Sequence, residues 1–324
     1  MTLNQPPVTF DEVQRIPDLF RYIKIECDKR DEYGLYCLSG SQPFRLMQNV
    51  SESLSGRISI IELTGLSLRE IQGDTFDQPF LPSMDYVMER QKTARQPENI
   101  WQIIHRGSFP ELYQNPELDW QQFYASYIKT YLERDVRELS AVQNLDVFRR
   151  FMVAVAARTG QMVNYANIAD EVGRDAATIR NWFSILEASG IIYLLEPYTP
   201  SVLKRAIKTP KVYFRDTGLA SYLTRWLTPE TLAYGAMAGN MFETFVISEI
   251  LNLRALTYSD NSRIVCLITN AAITKVSASE TGIEYRTPSS PKRIGSRRAK
   301  PTPNTTSLII EMTVEASAFP RDCR

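Results

Sequence analysis

The chain has 324 residues, enough for two or three domains that each bury a hydrophobic core. Hydrophobic residues make up 44% and charged residues 23%, a composition typical of a globular protein. The formal net charge is zero, so overall charge favours no particular class of partner. The single histidine, His105, argues against a His-rich zinc site and against a Ser-His-Asp hydrolase.

No stretch approaches the roughly 18 consecutive apolar residues of a membrane span, and no basic segment followed by an apolar core marks a secretion signal. The four cysteines have neither Cys-x-x-Cys spacing nor the density of a secreted scaffold. We therefore predict a cytoplasmic protein with reduced thiols and no membrane partner.

The N-terminal segment alternates short apolar runs with a helical pattern. Residues 8–10, 33–41 and 57–63 are predicted to be buried strands, and residues 17–30 have apolar side chains at helical spacing. Strands that alternate with helices are typical of a parallel sheet in an α/β domain.

The pattern becomes helical from residue 120. One apolar stripe is predicted to contain Phe123, Tyr127, Tyr131, Leu132 and Val136.

Residues 164–198 predict a helix capped by Asn164, a tight turn at Gly173, and a second helix from Ala176 to Ser189 capped by Asp175. A strand follows, in the order of a winged helix-turn-helix. The predicted core side chains of the second helix are Ile179, Trp182, Phe183 and Leu186.

A recognition helix usually presents Arg, Lys, Asn or Gln to the DNA groove. Here the exposed candidates are Arg174, Thr178, Arg180 and Asn181, which is a thin basic set. We therefore favour a packing role for this segment and keep DNA contact as the alternative.

Two acids, Asp11 and Glu12, follow the first predicted strand directly. In P-loop ATPases an Asp at this place ligates magnesium and a neighbouring Glu polarises the attacking water. The next strand ends near Ser39, Ser41 and Gln42, where such a site has a polar group close to the γ-phosphate. The alternatives are an acidic first turn of the following helix, favoured by the helix dipole, and a simple strand-to-loop turn.

Several ordered motifs resemble a bacterial AAA-type ATPase family whose members also carry a winged helix and a C-terminal nuclease-like domain of uncertain function. The motifs are FDEVQRIPDLF (10–20), LSGSQPFRLMQNVSESLSGRISIIEL (38–63), RGSFPELY (106–113), TPKVYFRDTGLASYL (209–223) and GNMFETFVISEIL (239–251). The resemblance covers about residues 6–252. It implies ATP and Mg²⁺ as cofactors.

The resemblance also implies a role for each site residue. Asp11 would ligate magnesium, Glu12 would orient water, and Ser41 or Gln42 would sense the γ-phosphate.

Two features depart from the family pattern. The sequence contains no Gly-x-x-x-x-Gly-Lys-Ser/Thr string, whose amides and lysine hold the phosphates in a P-loop site. The nuclease-like domain begins with a helix in which Glu243 and Glu249 are expected nearly on one face, but no Glu-x-Lys follows Glu249. We therefore expect a truncated or frame-shifted gene product with half of an ATP site.

We predict a mixed α/β fold in four regions. Residues 1–118 form the C-terminal part of an AAA-type ATPase domain with a partial parallel sheet, and residues 119–200 form a helical segment and winged helix. Residues 201–252 begin a truncated nuclease-like domain, and residues 253–324 form a basic, largely disordered tail.

The predicted function is that of an AAA-type ATP-binding protein, impaired by the missing loop. The alternatives are a DNA-binding winged-helix protein without ATPase activity and a nonfunctional gene fragment. DNA or a protein client is the expected macromolecular partner.

Overall fold

The computed structural model describes residues 6–30, 32, 34–40, 54, 58–76, 78, 83–132, 136–137, 142, 144–196, 209–255 and 266–268. Over these residues the fold is mixed α/β, mostly helical, with two three-stranded sheets. None of the helices in this part of the chain is long and apolar enough to cross a membrane. The predicted Ser41 and Gln42 and nearly all of the predicted basic tail lie outside the described residues.

The strands are β1 (Val8–Phe10), β2 (Tyr36–Ser39), β3 (Gln161–Met162), β4 (Ile192–Leu195), β5 (Lys211–Phe214) and β6 (Cys266–Ile268). The helices are α1 (Asp18–Lys29), α2 (Leu68–Ile71), α3 (Met84–Thr93), α4 (Ile100–Arg106), α5 (Pro110–Gln114), α6 (Trp120–Tyr131), α7 (Leu145–Ala156), α8 (Tyr165–Val172), α9 (Ala176–Ala188), α10 (Thr217–Leu223), α11 (Pro229–Ala233) and α12 (Ala238–Ala255).

The first sheet is parallel and has the order β1-β2-β6. The predicted first and second strands are present, and α1 connects them as the helix of a parallel crossover. The predicted third strand at residues 57–63 is wrong over its described part, residues 58–63, where a single bridge residue, Ile61, is found. The physical reason is that β6 pairs with the edge of β2 that faces away from β1.

A small hydrophobic core supports this sheet. Helix α1 buries Phe20 and Ile23 completely, as its apolar spacing predicts. The other buried members of this small core are Val13, Leu35, Tyr36, Leu38 and Leu54. Ile58 packs against it, so the chain leaving the sheet begins in this core.

Residues 62–71, here called the joint, connect the small core to the larger one. Leu66 donates its backbone N–H to the carbonyl of Ser108 at 2.7 Å, and Leu68 packs against the larger core. Gly65 approaches Ser108 so closely that a Cβ at Gly65 would lie 2.1 Å from the serine oxygen. The joint therefore requires glycine at this position, where the two segments touch.

The larger core is mainly helical and contains α6 and α7. Helix α6 is present as predicted, but its fully buried stripe is formed by Tyr124, Ile128 and Tyr131. Three members of the predicted stripe, Tyr131, Leu132 and Val136, are buried, whereas Phe123 and Tyr127 are only half-buried. At the margin of the core, the ring of Phe109 packs against those of Phe123 and Tyr127.

The second sheet is antiparallel, has the order β3-β5-β4, and packs with α7, α8 and α9. The predicted caps are confirmed, since Asn164 accepts from the amide of Asn167 at 3.1 Å and Asp175 accepts from that of Thr178 at 2.8 Å. Gly173 lies between the helices at φ 73°, a left-handed conformation that favours glycine. The four predicted core residues of α9 are all buried.

The C-terminal helix α12 crosses the predicted boundary at residue 252 and continues to Ala255. Three residues of the predicted tail form β6 and join the first sheet. The region predicted as a largely disordered tail thus contains one described strand.

Candidate functional site

Two neighbouring strands of the parallel sheet end at the same edge. The register pairs Phe10, the last residue of β1, with Leu38, and β2 ends one residue later at Ser39. Asp11 follows β1 directly, so its side chain and that of Ser39 meet beyond the carboxyl ends of the strands. Ligands of open α/β sheets bind at this edge.

Asp11 is held by two donors at this edge. The Ser39 hydroxyl donates a hydrogen bond to Asp11 Oδ1, and the Glu12 amide donates to the same oxygen at 3.0 Å. The Ser39 oxygen also lies 3.5 Å from the Phe10 carbonyl. These contacts fix an exposed carboxylate next to a hydroxyl oxygen, and both groups are ligand types that Mg²⁺ accepts.

Glu12 has an unusual backbone conformation. Its φ and ψ are 51° and 40°, which is the left-handed region that residues with a Cβ rarely adopt. Its carboxylate accepts a hydrogen bond from Gln14 Nε2 and lies 3.8 Å from Arg15 Nε. Left-handed non-glycine residues concentrate at functional sites, where the surroundings hold the strained conformation.

The acids do not form the first turn of α1. A short 3-10 helix (Val13–Arg15) separates them from α1, which begins at Asp18. Glu12 precedes this turn but makes no side-chain capping bond to it. The alternative that the acidic pair serves as a helix start is therefore wrong.

Ser39 and Gln14 are the polar side chains that the structure brings to the acidic pair. Ser39 was one of three candidates at the end of the second strand. Sequence reasoning missed Gln14, although it lies two residues after Glu12 in the printed motif. Gln14 is buried, and its Oε1 has no hydrogen-bond partner among the described residues, whereas its Nε2 donates a hydrogen bond to Glu12.

No group of three or more His, Cys, Asp or Glu side chains that suits a metal ion occurs among the described residues. Magnesium in nucleotide sites commonly takes one or two carboxylates, with phosphate and water oxygens as its other ligands. The donor set at the sheet edge fits this kind of shared site and not an all-protein metal cage.

A second aspartate, Asp216, lies at the start of α10 and is buried. It accepts hydrogen bonds from Ser108 N at 2.6 Å, Ser108 Oγ at 2.9 Å, Tyr124 Oη at 2.7 Å and Leu219 N at 2.6 Å. Burial and the neighbouring Asp216 raise the pKa of the Tyr124 hydroxyl, which therefore stays a donor. Because protein donors surround Asp216, we assign it a structural role.

Two acids of α12 have separate environments. Glu243 accepts from Lys211 Nζ at 2.7 Å and from Tyr213 Oη at 2.5 Å, whereas Glu249 accepts from the amide of Leu68 at 2.9 Å. The expectation that both lie nearly on one face is wrong, because six residues at about 100° each separate them by about 120° around the helix.

The single histidine, His105, serves packing. Its ring stacks on Trp120 with centroids 4.2 Å apart, and its Nε2 lies 2.8 Å from the carbonyl oxygen of Trp226. Burial lowers the pKa of His105, so the neutral ring is favoured.

Two protein-family models match parts of this chain, and one of them covers the acidic edge of the parallel sheet. Residues 2–72 match the family model of an AAA domain, and residues 97–230 match that of a domain of unknown function, DUF8612. The first match includes Asp11, Glu12 and Ser39, and supports an AAA-type, ATPase-like N-terminal region.

Two curated relatives are similar to most of the chain. They are the uncharacterized protein Rv2008c of Mycobacterium tuberculosis and the uncharacterized protein Mb2031c of Mycobacterium bovis. Each is 28% identical over 248 residues, which is 76% of this chain and 51% of the relative. The chain thus spans about half the length of these relatives. No solved structure matches.

Proposed function

We propose that the edge formed by Asp11, Glu12 and Ser39 is the magnesium and water side of an AAA-type ATP site in a cytoplasmic protein. The observation that carries the proposal is the Ser39 hydroxyl bonded to Asp11 across two parallel strands, beside a left-handed Glu12. The AAA family match over the same residues supports it.

The roles follow from the chemistry of each side chain. Asp11 would ligate magnesium, and Ser39 fixes its carboxylate by donating to one oxygen. Glu12 would orient water, and Ser41 or Gln42 would sense the γ-phosphate. Magnesium supplies charge neutralisation at the phosphates when bound. The glycine amides and lysine of a P-loop supply most phosphate contacts, so we expect weak nucleotide binding by the printed chain.

Paramagnetic broadening by Mn²⁺–ATP tests this proposal, because it detects weak binding. We expect selective broadening of amide resonances at residues 10–12 and 39 with a millimolar dissociation constant, and loss of the effect in Asp11→Asn. Asp18→Asn, which changes a carboxylate at the start of α1, is the matched control and should keep it. Mn²⁺ without nucleotide separates metal binding from nucleotide binding.

Two results would count against the proposal. Absence of broadening at these residues would remove the ATP site altogether. A micromolar dissociation constant for Mn²⁺–ATP would show that the chain holds the phosphates without a P-loop. That result would contradict the proposal that only the magnesium and water side of the ATP site is present.

The second candidate function is DNA binding by the segment from α7 to β5. Its order of helix, strand, two helices and two strands, with β3 paired to β5, favours a winged helix. On α9 the exposed side chains are those of Ala177, Arg180, Asn181, Ser184, Glu187 and Ala188. The Arg180 guanidinium lies over the Tyr165 ring at 5.3 Å. We propose that the segment packs within the protein, because this face has one basic side chain and one acidic one.

Fluorescence anisotropy with a labelled duplex at low salt distinguishes packing from DNA recognition. We expect binding no tighter than the non-specific range of about 10⁻⁴–10⁻⁶ M, with Arg180→Ala equal to the control Arg149→Ala on α7. Nanomolar binding that Arg180→Ala alone abolishes would favour DNA recognition instead.

A further inference from the structure

The joint is attached to the C-terminal helix by a buried carboxyl group. Glu249 of α12 is 9% exposed, and its Oε2 accepts a hydrogen bond from the backbone N–H of Leu68, the first residue of α2. Ser67 and Glu70 form a capping box at the same turn. One side chain from far along the sequence thus completes the capping of the joint.

The surroundings of Glu249 give its negative charge little solvation. The adjoining cavity has a volume of about 10 Å³, enough for about one water molecule. Its lining is part apolar, with Leu66, Ile71, Ile103 and Phe245, and part polar, with Ser108, Arg215, Thr217 and Ser248. Burying an ionised carboxyl group in such a place is unfavourable unless hydrogen bonds or an opposite charge compensate.

Charged and titratable groups reach Glu249 from three neighbouring elements. Helix α2 brings Glu70, which opposes ionisation, and Arg69, which favours it. Arg69 is also bonded to the carbonyls of residues 76 and 78 at 2.9 and 3.1 Å. Arg215 lines the cavity after β5 and is paired with Glu62, while Tyr113 of α5 faces the site as a neutral phenol whose pKa is raised by burial.

We propose that Glu249 is a protonation-controlled latch: its neutral carboxyl group holds the joint onto α12, and ionisation loosens that contact. The carbonyl oxygen of a neutral carboxyl group can still accept the Leu68 N–H, and neutralisation removes the cost of a buried charge beside Glu70. The latch therefore links the proton concentration to the attachment of the sheet-bearing segment. This inference does not depend on the proposed ATP site.

The sign of the pH dependence follows from the pKa of Glu249. Burial, and to a lesser degree Glu70, raise this pKa from 4.5 to about 7, whereas the Leu68 amide and Arg69 act in the opposite direction. A raised pKa in the folded state means that the stabilising contribution is complete below the unfolded value and is lost as pH rises through 7. The opening equilibrium of the joint should increase about tenfold between pH 6 and pH 8.

Hydrogen exchange of the full chain tests the latch, with rates corrected for the intrinsic pH dependence of amide exchange. We expect protection of the peptide covering residues 66–71 to fall about tenfold from pH 6 to pH 8. Glu249→Gln, which keeps an acceptor but cannot ionise, should show no such fall. Glu243→Gln, a half-exposed acid on the same helix, is the matched control and should behave like the unmodified chain.

A further variant keeps the test decisive if Glu249→Gln does not fold. Glu70→Gln preserves the capping-box geometry and removes the opposing charge, so the pH midpoint of opening should move downward. Equal protection at both pH values in the unmodified chain would overturn the latch. The same tenfold fall in Glu249→Gln, or an unchanged midpoint in Glu70→Gln, would also overturn it.

Discussion

The two aspartates at the ends of strands β1 and β5 have opposite environments. Asp216 is buried beside α10, and backbone amides, a serine and a tyrosine supply its hydrogen bonds. Asp11 is exposed at the edge of the parallel sheet, beside a serine and a strained glutamate. The contrast shows that burial and satisfied hydrogen bonding mark a structural acid, whereas exposure beside backbone strain marks a candidate ligand site.

The largest change in stability that we expect from this comparison comes from replacing Asp216. Asp216→Ala leaves the buried donors of Ser108 and the Leu219 amide without this acceptor, while the Tyr124 hydroxyl keeps only the Arg106 carbonyl. We expect the change to destabilise the larger core by about 3–4 kcal/mol. Urea unfolding followed by tryptophan fluorescence measures this, because all four tryptophans pack in or against that core.

The matched control is Asp119→Ala, which removes another aspartate N-cap. Asp119 is exposed and accepts from the amide of Gln122, so its loss should cost about 1 kcal/mol. Equal losses in the two variants would mean that the buried network of Asp216 adds nothing to an ordinary cap.

At the edge of the parallel sheet we expect a substitution that stabilises the fold, by a smaller amount. Glu12→Gly should stabilise the sheet by about 0.5–1 kcal/mol, because glycine adopts a left-handed conformation without the Cβ penalty. Hydrogen exchange of the β2 amides measures this change, with Glu12→Gln as the control that keeps the strain.

Arg225 provides a reference for the strain itself, since it is exposed and also has a positive φ, 61°. Arg225→Gly should give a similar gain in the larger core. If Glu12→Gly instead lowers the hydrogen-exchange protection of the β2 amides, the contacts of the Glu12 side chain stabilise the sheet by more than its backbone strain costs. Glu12 would then have a structural role.

Local signals in the sequence predicted local structure well. The caps Asn164 and Asp175, the turn at Gly173 and the buried stripe of α9 depend on residues within a few positions of one another, and all are present. The order of strand, acidic pair, helix and strand likewise predicted the parallel pairing of β1 and β2. Short-range periodicity was sufficient for these elements.

Contacts between distant residues were not predictable in the same way. The bond from Leu68 to Glu249 joins segments 181 positions apart, and no local pattern indicates it. Gln14 was missed because a buried glutamine two residues after Glu12 looks like an ordinary polar position of a turn. The roles assigned to Ser41 and Gln42 stay predictions, since the described residues end at 40 and resume at 54.

The pairing of β6 with β2 has a consequence for the order of folding during synthesis. β2 leaves the ribosome early, whereas its partner β6 follows α12, after most of the larger core has been made. Pairing between distant segments is slow because the intervening chain must first close a long loop. Until then the edge of β2 away from β1 offers unpaired backbone groups to other chains, so this edge is where a chaperone would protect the nascent protein.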